Sequence, residues 1–142
     1  MPAKRLKQLH GSAAETEAAF YDALNRADLD ALMALWADDD EIVCIHPGGP
    51  RLIGHGAIRA AWAAILEHGG LHIMPVQLHA SHNLMSSVHT VVEISSAAPQ
   101  DEVHLLATNA YLKTPRGWRI VLHHVSLAPG PVPAEARTQV LH

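Results

Sequence analysis

The chemistry-bearing residues of this chain are imidazoles set among apolar neighbours. His46 closes the run Glu41-Ile42-Val43-Cys44-Ile45-His46 directly before Pro47-Gly48-Gly49-Pro50. His123 and His124 stand inside Gly117-Trp118-Arg119-Ile120-Val121-Leu122-His123-His124-Val125-Ser126. A titratable ring in such surroundings is costly unless it is hydrogen-bonded or employed in a site. An imidazole with an ordinary pKa of about 6.5 at position 46 is placed to abstract a proton from a small carbon acid or to activate water. Strand alternation puts His124 on one face with Trp118, Ile120, Leu122 and Ser126, an apolar set expected to look inward, and turns His123 outward. Asn109 falls mid-strand in Thr108-Asn109-Ala110-Tyr111, where an amide is disfavoured unless it hydrogen-bonds a ligand or a neighbouring strand. His46, His124 and Asn109 are therefore the candidate catalytic set. The competing reading is structural, with each ring satisfied by a backbone or cross-strand hydrogen bond.

Around them, Trp36, Trp62, Tyr21, Cys44, Trp118 and Leu122 are the candidate ligand-lining residues. Cys44 alternates with Ile42 and His46, so it belongs on the same face as a small buried hydrophobe. Asp38, Asp39 and Asp40 follow a helix C-terminus, where the dipole disfavours anions, and are expected to stay solvated. Arg51 and His55 flank the entrance to a later helix, either as an anion-attracting pair or as an ordinary surface pair. Twelve His residues invite a metal reading, but there is no H-E-x-x-H, no second Cys and no His pair four apart on a helix. No metal and no cofactor is expected.

These residues need elements to hold them. Ser12-Ala13-Ala14-Glu15 has capping-box spacing and opens a helix over 12–27 whose Phe20, Leu24 and Ala27 share a face, with Glu17, Asp22 and Arg26 on the others. Asp28 caps a shorter helix lined by Leu32, Leu35 and Trp36. A strand over 41–46 stops at the Pro-Gly run. A loop through residues 51–54 leads to a third helix with the stripe Ile58, Ala61, Trp62, Ile65 and Leu66, ended by Gly69-Gly70. From residue 71 the period changes to two, giving strands over 71–82, 84–95, 102–113 and 118–127 with short turns between them, hence an antiparallel meander. The fold class is α+β, three N-terminal helices packed on a strongly curved antiparallel sheet that forms a cone with an internal pocket. Residues 1–11 are expected to be a flexible leader, 12–128 the domain and 129–142 a Pro-rich tail.

The 142 residues are about 49% hydrophobic, enough for one substantial core, and 14 acidic against 10 basic residues give a net charge of −4. That balance excludes a basic nucleic-acid surface, and no apolar run is long enough for a membrane span or a signal peptide. A single Cys forms no internal disulfide and fits a reducing cytoplasm.

The order α-α-β-α-β-β-β-β resembles the nuclear transport factor 2 superfamily, in particular its SnoaL-like and ketosteroid-isomerase-like branch. The resemblance is carried by Leu35-Trp36-Ala37-Asp38-Asp39, His46-Pro47, Leu52-Ile53-Gly54-His55-Gly56-Ala57-Ile58 with Trp62, Thr108-Asn109-Ala110-Tyr111, and residues 117–126. In ketosteroid isomerases the first strand ends in an Asp-Pro pair whose carboxylate is the general base; His46-Pro47 occupies the matching position here and exchanges one proton acceptor for another. That family's oxyanion-hole pair, a Tyr with a protonated Asp, has no clear counterpart in this sequence; Tyr21 on the first helix is the phenol available for such a role, with no acid that the sequence sets beside it. The resemblance implies a small organic ligand in the cone and a homodimer through the outer sheet face, whose residues include Val88, Thr90, Val92 and Ile94. It implies either cofactor-free isomerisation, cyclisation or hydrolysis with His46 as base, or a non-catalytic ligand-binding or assembly module of the same fold. A chain read as nearly all one domain, with no attached kinase or receptor region expected, argues against the assembly role.

Overall fold

The computed structural model describes residues 11–96 and 102–131. The expected leader up to residue 10, the turn over 97–101 and the tail beyond residue 131 lie outside the described residues. Helix α1, Ala13–Arg26, starts where the Ser12 Oγ accepts the Glu15 N–H at 3.1 Å, the anticipated cap. It ends at Ala27, whose left-handed φ of 56° lets the Asp28 N–H reach back to the Ala23 carbonyl at 3.0 Å. Asp28 then caps α2, Leu29–Met33, through the Ala31 N–H at 3.0 Å. After β1, Val43–Ile45, the segment expected as a loop contains a second short strand, β2, Arg51–Ile53, paired antiparallel with β1. Its three residues are too few for a periodic signal. Helix α3, His55–Ile65, buries Ile58 and Trp62.

Four long strands follow: β3, Ile73–His82; β4, Ser86–Ser95; β5, Val103–Thr114; and β6, Gly117–Leu127. They form the anticipated antiparallel meander in one sheet ordered β2-β1-β6-β5-β4-β3. The sheet is nonetheless mixed, because β1 pairs parallel with β6, Cys44 opposite His123. The helices lie on one face of this curved, unclosed sheet, an α+β cone. At the narrow junction of α1 and β3 the Asn25 side chain clasps both the N–H and the carbonyl of Ile73 at 2.8 Å, and the Asn25 backbone lies so close to Gly70 that a Cβ there would collide with it. The main core joins Phe20, Leu24, Leu32, Trp36, Ile58 and Ile120 between helices and sheet. No described helix is long and apolar enough to cross a membrane.

Two irregularities aim the side chains. Pairing of β3 with β4 slips between Val76 and His79, and pairing of β5 with β6 slips between Ala110 and Tyr111, which face Leu122 and Ile120. Val121 is the extra residue of that second slip, a β-bulge. An extra residue reverses the parity of everything after it. His123 and Val125 thus point inward, 3% and 4% exposed, whereas His124 is exposed and Leu122 half-buried on the outer face. The inward assignment of His124 and Leu122 is corrected accordingly.

Candidate functional site

A cleft of about 180 Å³ opens on the concave face beside the C-terminal half of α1. Its walls are mainly apolar, from Leu24, Trp62, Ile65, Leu71, Leu105 and Val125, and its titratable members are His46, Glu93 and His123. His46, delivered by the end of β1, packs edge-on against Trp62 with ring centroids 4.6 Å apart. Phe20 and Trp62 flank His123 at 4.8 and 5.8 Å. Burial holds the pKa of His46 below the usual imidazole range. His123 is pushed down to about 3, first by burial and then by the neighbouring rings of His46 and His124. Both rings are therefore neutral near pH 7.

Behind the cleft runs a buried polar network. His123 Nδ1 donates to Asn109 Oδ1 at 2.6 Å, which leaves Nε2 as the ring's acceptor. The Asn109 amide donates to the Tyr21 hydroxyl at 3.2 Å, and Tyr21 donates to Glu93 Oε2 at 2.6 Å. A second branch ends on Glu17, whose Oε2 accepts from Tyr111 Oη at 2.6 Å, His89 Nδ1 at 3.0 Å and Asn109 Nδ2 at 3.1 Å. Burial pushes the Glu93 carboxyl up to about 7, the charge of Glu17 adds to the rise, and the Tyr21 hydroxyl opposes it. Burial likewise drives the Tyr21 and Tyr111 phenols far above their usual range, so both remain donors. Glu93 and His123 thus face the cleft from opposite ends of one chain of hydrogen bonds.

The sequence candidates divide. His46 and Trp62 line the cleft, and Cys44 lies just beneath, its sulfur 3.7 Å from His46 Nε2. Burial raises the Cys44 thiol to about 12, which leaves it inert as a nucleophile. Asn109 is buried one layer back and meets the cleft through His123. Tyr21 is also one layer back, and the acid that the sequence did not set beside it is Glu93. Trp36 is 1% exposed in the core, and Trp118 lies at the other end of α1. His124 does not meet His46 across the void, because the β6 bulge turns it away. His55 is engaged structurally, its Nε2 2.7 Å from the Ala37 carbonyl, and Asp38, Asp39 and Asp40 are exposed.

Glu17, His89, Glu93 and the inward His123 are the residues that sequence reasoning missed. Glu17 is expected on another face of α1 than Phe20, Leu24 and Ala27, yet it is 7% exposed. The available signal was Glu93 itself, a lone carboxylate inside Val91-Val92-Glu93-Ile94, where β-propensity disfavours it.

The comparisons agree with this geometry. A solved structure from Thiobacillus denitrificans, described as a putative calcium/calmodulin-dependent protein kinase type II association domain, is 31% identical over 85% of this chain and 98% of its own, with a TM-score of 0.79. One from Streptomyces avermitilis, described as a putative dehydratase from the NTF2-like family, is 28% identical over 82% of this chain and 94% of its own, with a TM-score of 0.73. An NTF2-like protein with a cystatin-like fold from Novosphingobium aromaticivorans shares the fold at 19% identity, covering 95% and 90% of the two chains with a TM-score of 0.70. No curated protein matches the chain significantly. The SnoaL-like domain model matches residues 13–130, and with the helices, the curved sheet and its cleft in the places that fold requires, the chain belongs to the SnoaL-like domain family of the nuclear transport factor 2-like superfamily.

Proposed function

We propose that the protein binds a small, uncharged organic molecule in the cleft and carries out cofactor-free proton transfer on it. The observation that supports this reading is Glu93, a carboxyl facing an apolar cleft at about pKa 7 beside two neutral imidazoles. A group poised near neutrality both gives and takes protons efficiently. Among the described residues the cleft presents no Lys, no Arg and no helix start, so an anionic substrate would find neither counter-charge nor free backbone donors, and its volume is below the roughly 300–1,000 Å³ of drug-sized pockets.

The dehydratase description of the 28%-identical relative supports a β-hydroxy carbonyl substrate. In that reaction His46 takes the proton α to the carbonyl while Glu93, protonated, gives its proton to the departing hydroxyl. Water leaves, a C=C bond forms, and the proton on His46 passes back to Glu93. His123 Nε2, fixed by Asn109, orients a substrate hydroxyl. The test is a panel of small β-hydroxy ketones followed by enone absorbance, alongside native mass spectrometry of freshly purified protein for a retained molecule. Turnover that falls about 100-fold or more in Glu93→Gln and His46→Ala is the expected result. Absence of both turnover and any retained or bound compound overturns the reading.

The outer sheet face favours a second role. Met74, Val88, Leu106 and Leu112 expose 43–48% of their surface there, and the 31%-identical relative is described as an association domain. That apolar surface supports a homodimer through this face. Sedimentation at micromolar concentration is expected to give a dimer that Val88→Glu with Leu106→Glu converts to a monomer.

A further inference from the structure

A second hollow, about 410 Å³, lies on the same concave face at the other end of α1 and shares no lining residue with the cleft. Its floor is Ser87 and His89 of β4, its rim Ala13 and Ala14 of the first turn of α1, and Leu78 and Ala80 of β3. Three observations mark it as built for a ligand. His89 is 3% exposed and its Nδ1 is committed to Glu17, so Nε2 is the ring nitrogen left for the hollow. Ser87 is 4% exposed, and its hydroxyl has no hydrogen-bond partner among the described residues. The Ala13 and Ala14 N–H groups have no acceptor among the described residues and stand at the positive end of a 14-residue helix, because Ser12 satisfies only Glu15 and Thr16.

We propose that this hollow is a second binding site that takes a short organic carboxylate, its oxygens meeting His89 Nε2, the Ser87 hydroxyl and the N–H groups of Ala13 and Ala14. Donors from a helix start and a hydroxyl suit an oxyanion. Glu17 behind the ring makes the arrangement carboxylate–imidazole–carboxylate, in which the ligand acid's proton lies between Nε2 and a carboxyl oxygen and the Glu17 bond fixes the ring. Glu15, in the same helical turn, holds its carboxylate against the Gly11 N–H at 3.2 Å on the exposed side. The apolar Leu78, Ala80 and Trp118 take the ligand's hydrocarbon end.

Butyrate is the probe, with butanamide as its uncharged isostere, and the readout is the NMR signals of the His89 ring and the Ser87 amide in the full chain. Butyrate is expected to move these signals saturably while those of the His123 ring stay in place, and butanamide to bind at least tenfold more weakly. His89→Asn, which keeps a donor for Glu17 but removes Nε2, is expected to weaken butyrate at least tenfold. Ala80→Phe fills the hollow without touching the Glu17 network and is expected to abolish binding. Unsaturable shifts, equal binding of butanamide, or butyrate affinity unchanged in the folded Ala80→Phe protein overturns the proposal.

Discussion

One oxygen of Glu17 receives three donors, and Asn109 links that cluster to His123 on one side and Tyr21 on the other. Removing the amide leaves the His123 N–H without its acceptor at a position where the ring is 3% exposed. Each buried polar group left unpaired costs about 1–3 kcal/mol. Asn109→Leu is therefore expected to lower stability by about 2–4 kcal/mol in urea denaturation. A loss within about 0.5 kcal/mol, the usual size for an uninvolved surface change, would show that the network is not coupled as described. Tyr21→Phe acts more narrowly. It deletes the hydroxyl that favours ionised Glu93, so carboxyl-detected NMR is expected to find Glu93 titrating above its value of about 7. At this scale the sequence revealed which residue types were costly, His46 and Asn109 among them, but not their partners. The bonds that join Glu17 to His89 and Asn109 span 72 and 92 residues and carry no local pattern.

Elements were legible where a cap or a period announced them. Ser12, Asp28 and the meander after residue 71 were all foreseeable from spacing, because capping and alternation are local physics. Strand β2 and the parallel β1–β6 pairing were not, since a three-residue strand has no period and a pairing across some 80 positions is settled by packing. The β6 bulge had the largest consequence. Alternation counts residues without detecting an extra one, so a single inserted Val121 exchanged the roles of adjacent histidines. A pair of substitutions separates the two assignments. His124→Ala, at an exposed position, is expected to change stability by no more than about 0.5 kcal/mol. His123→Ala removes a buried ring packed on Phe20 and Trp62 and strands Asn109 Oδ1, and is expected to cost about 2–4 kcal/mol. The reverse ranking in thermal or urea denaturation would return the sheet to unbroken alternation.

Over the whole molecule, Glu93 and His123, the most strongly shifted groups of the cleft, pull stability in opposite directions with pH, and the lowered His46 acts in the same direction as His123. His123 has a folded-state pKa of about 3, below its ordinary 6.5, so its contribution is complete above pH 6.5 and is lost as pH falls through 3. Glu93 has a folded-state pKa of about 7, above its ordinary 4.5, so its contribution is complete below pH 4.5 and is lost as pH rises through 7. Between pH 4.5 and 6.5 the unfolded chain gains a proton at His123 and loses one at Glu93, and these two slopes, each up to about 1.4 kcal/mol per pH unit, oppose each other. Removing either group exposes the other. Relative to the unmodified chain, Glu93→Gln is expected to make stability rise more steeply with pH across that window, and His123→Asn to make it fall. Urea titrations at half-unit pH intervals read both slopes. If Glu93→Gln left the slope unaltered, Glu93 would ionise like an exposed carboxylate, and the cleft would lose the group on which its proton chemistry rests.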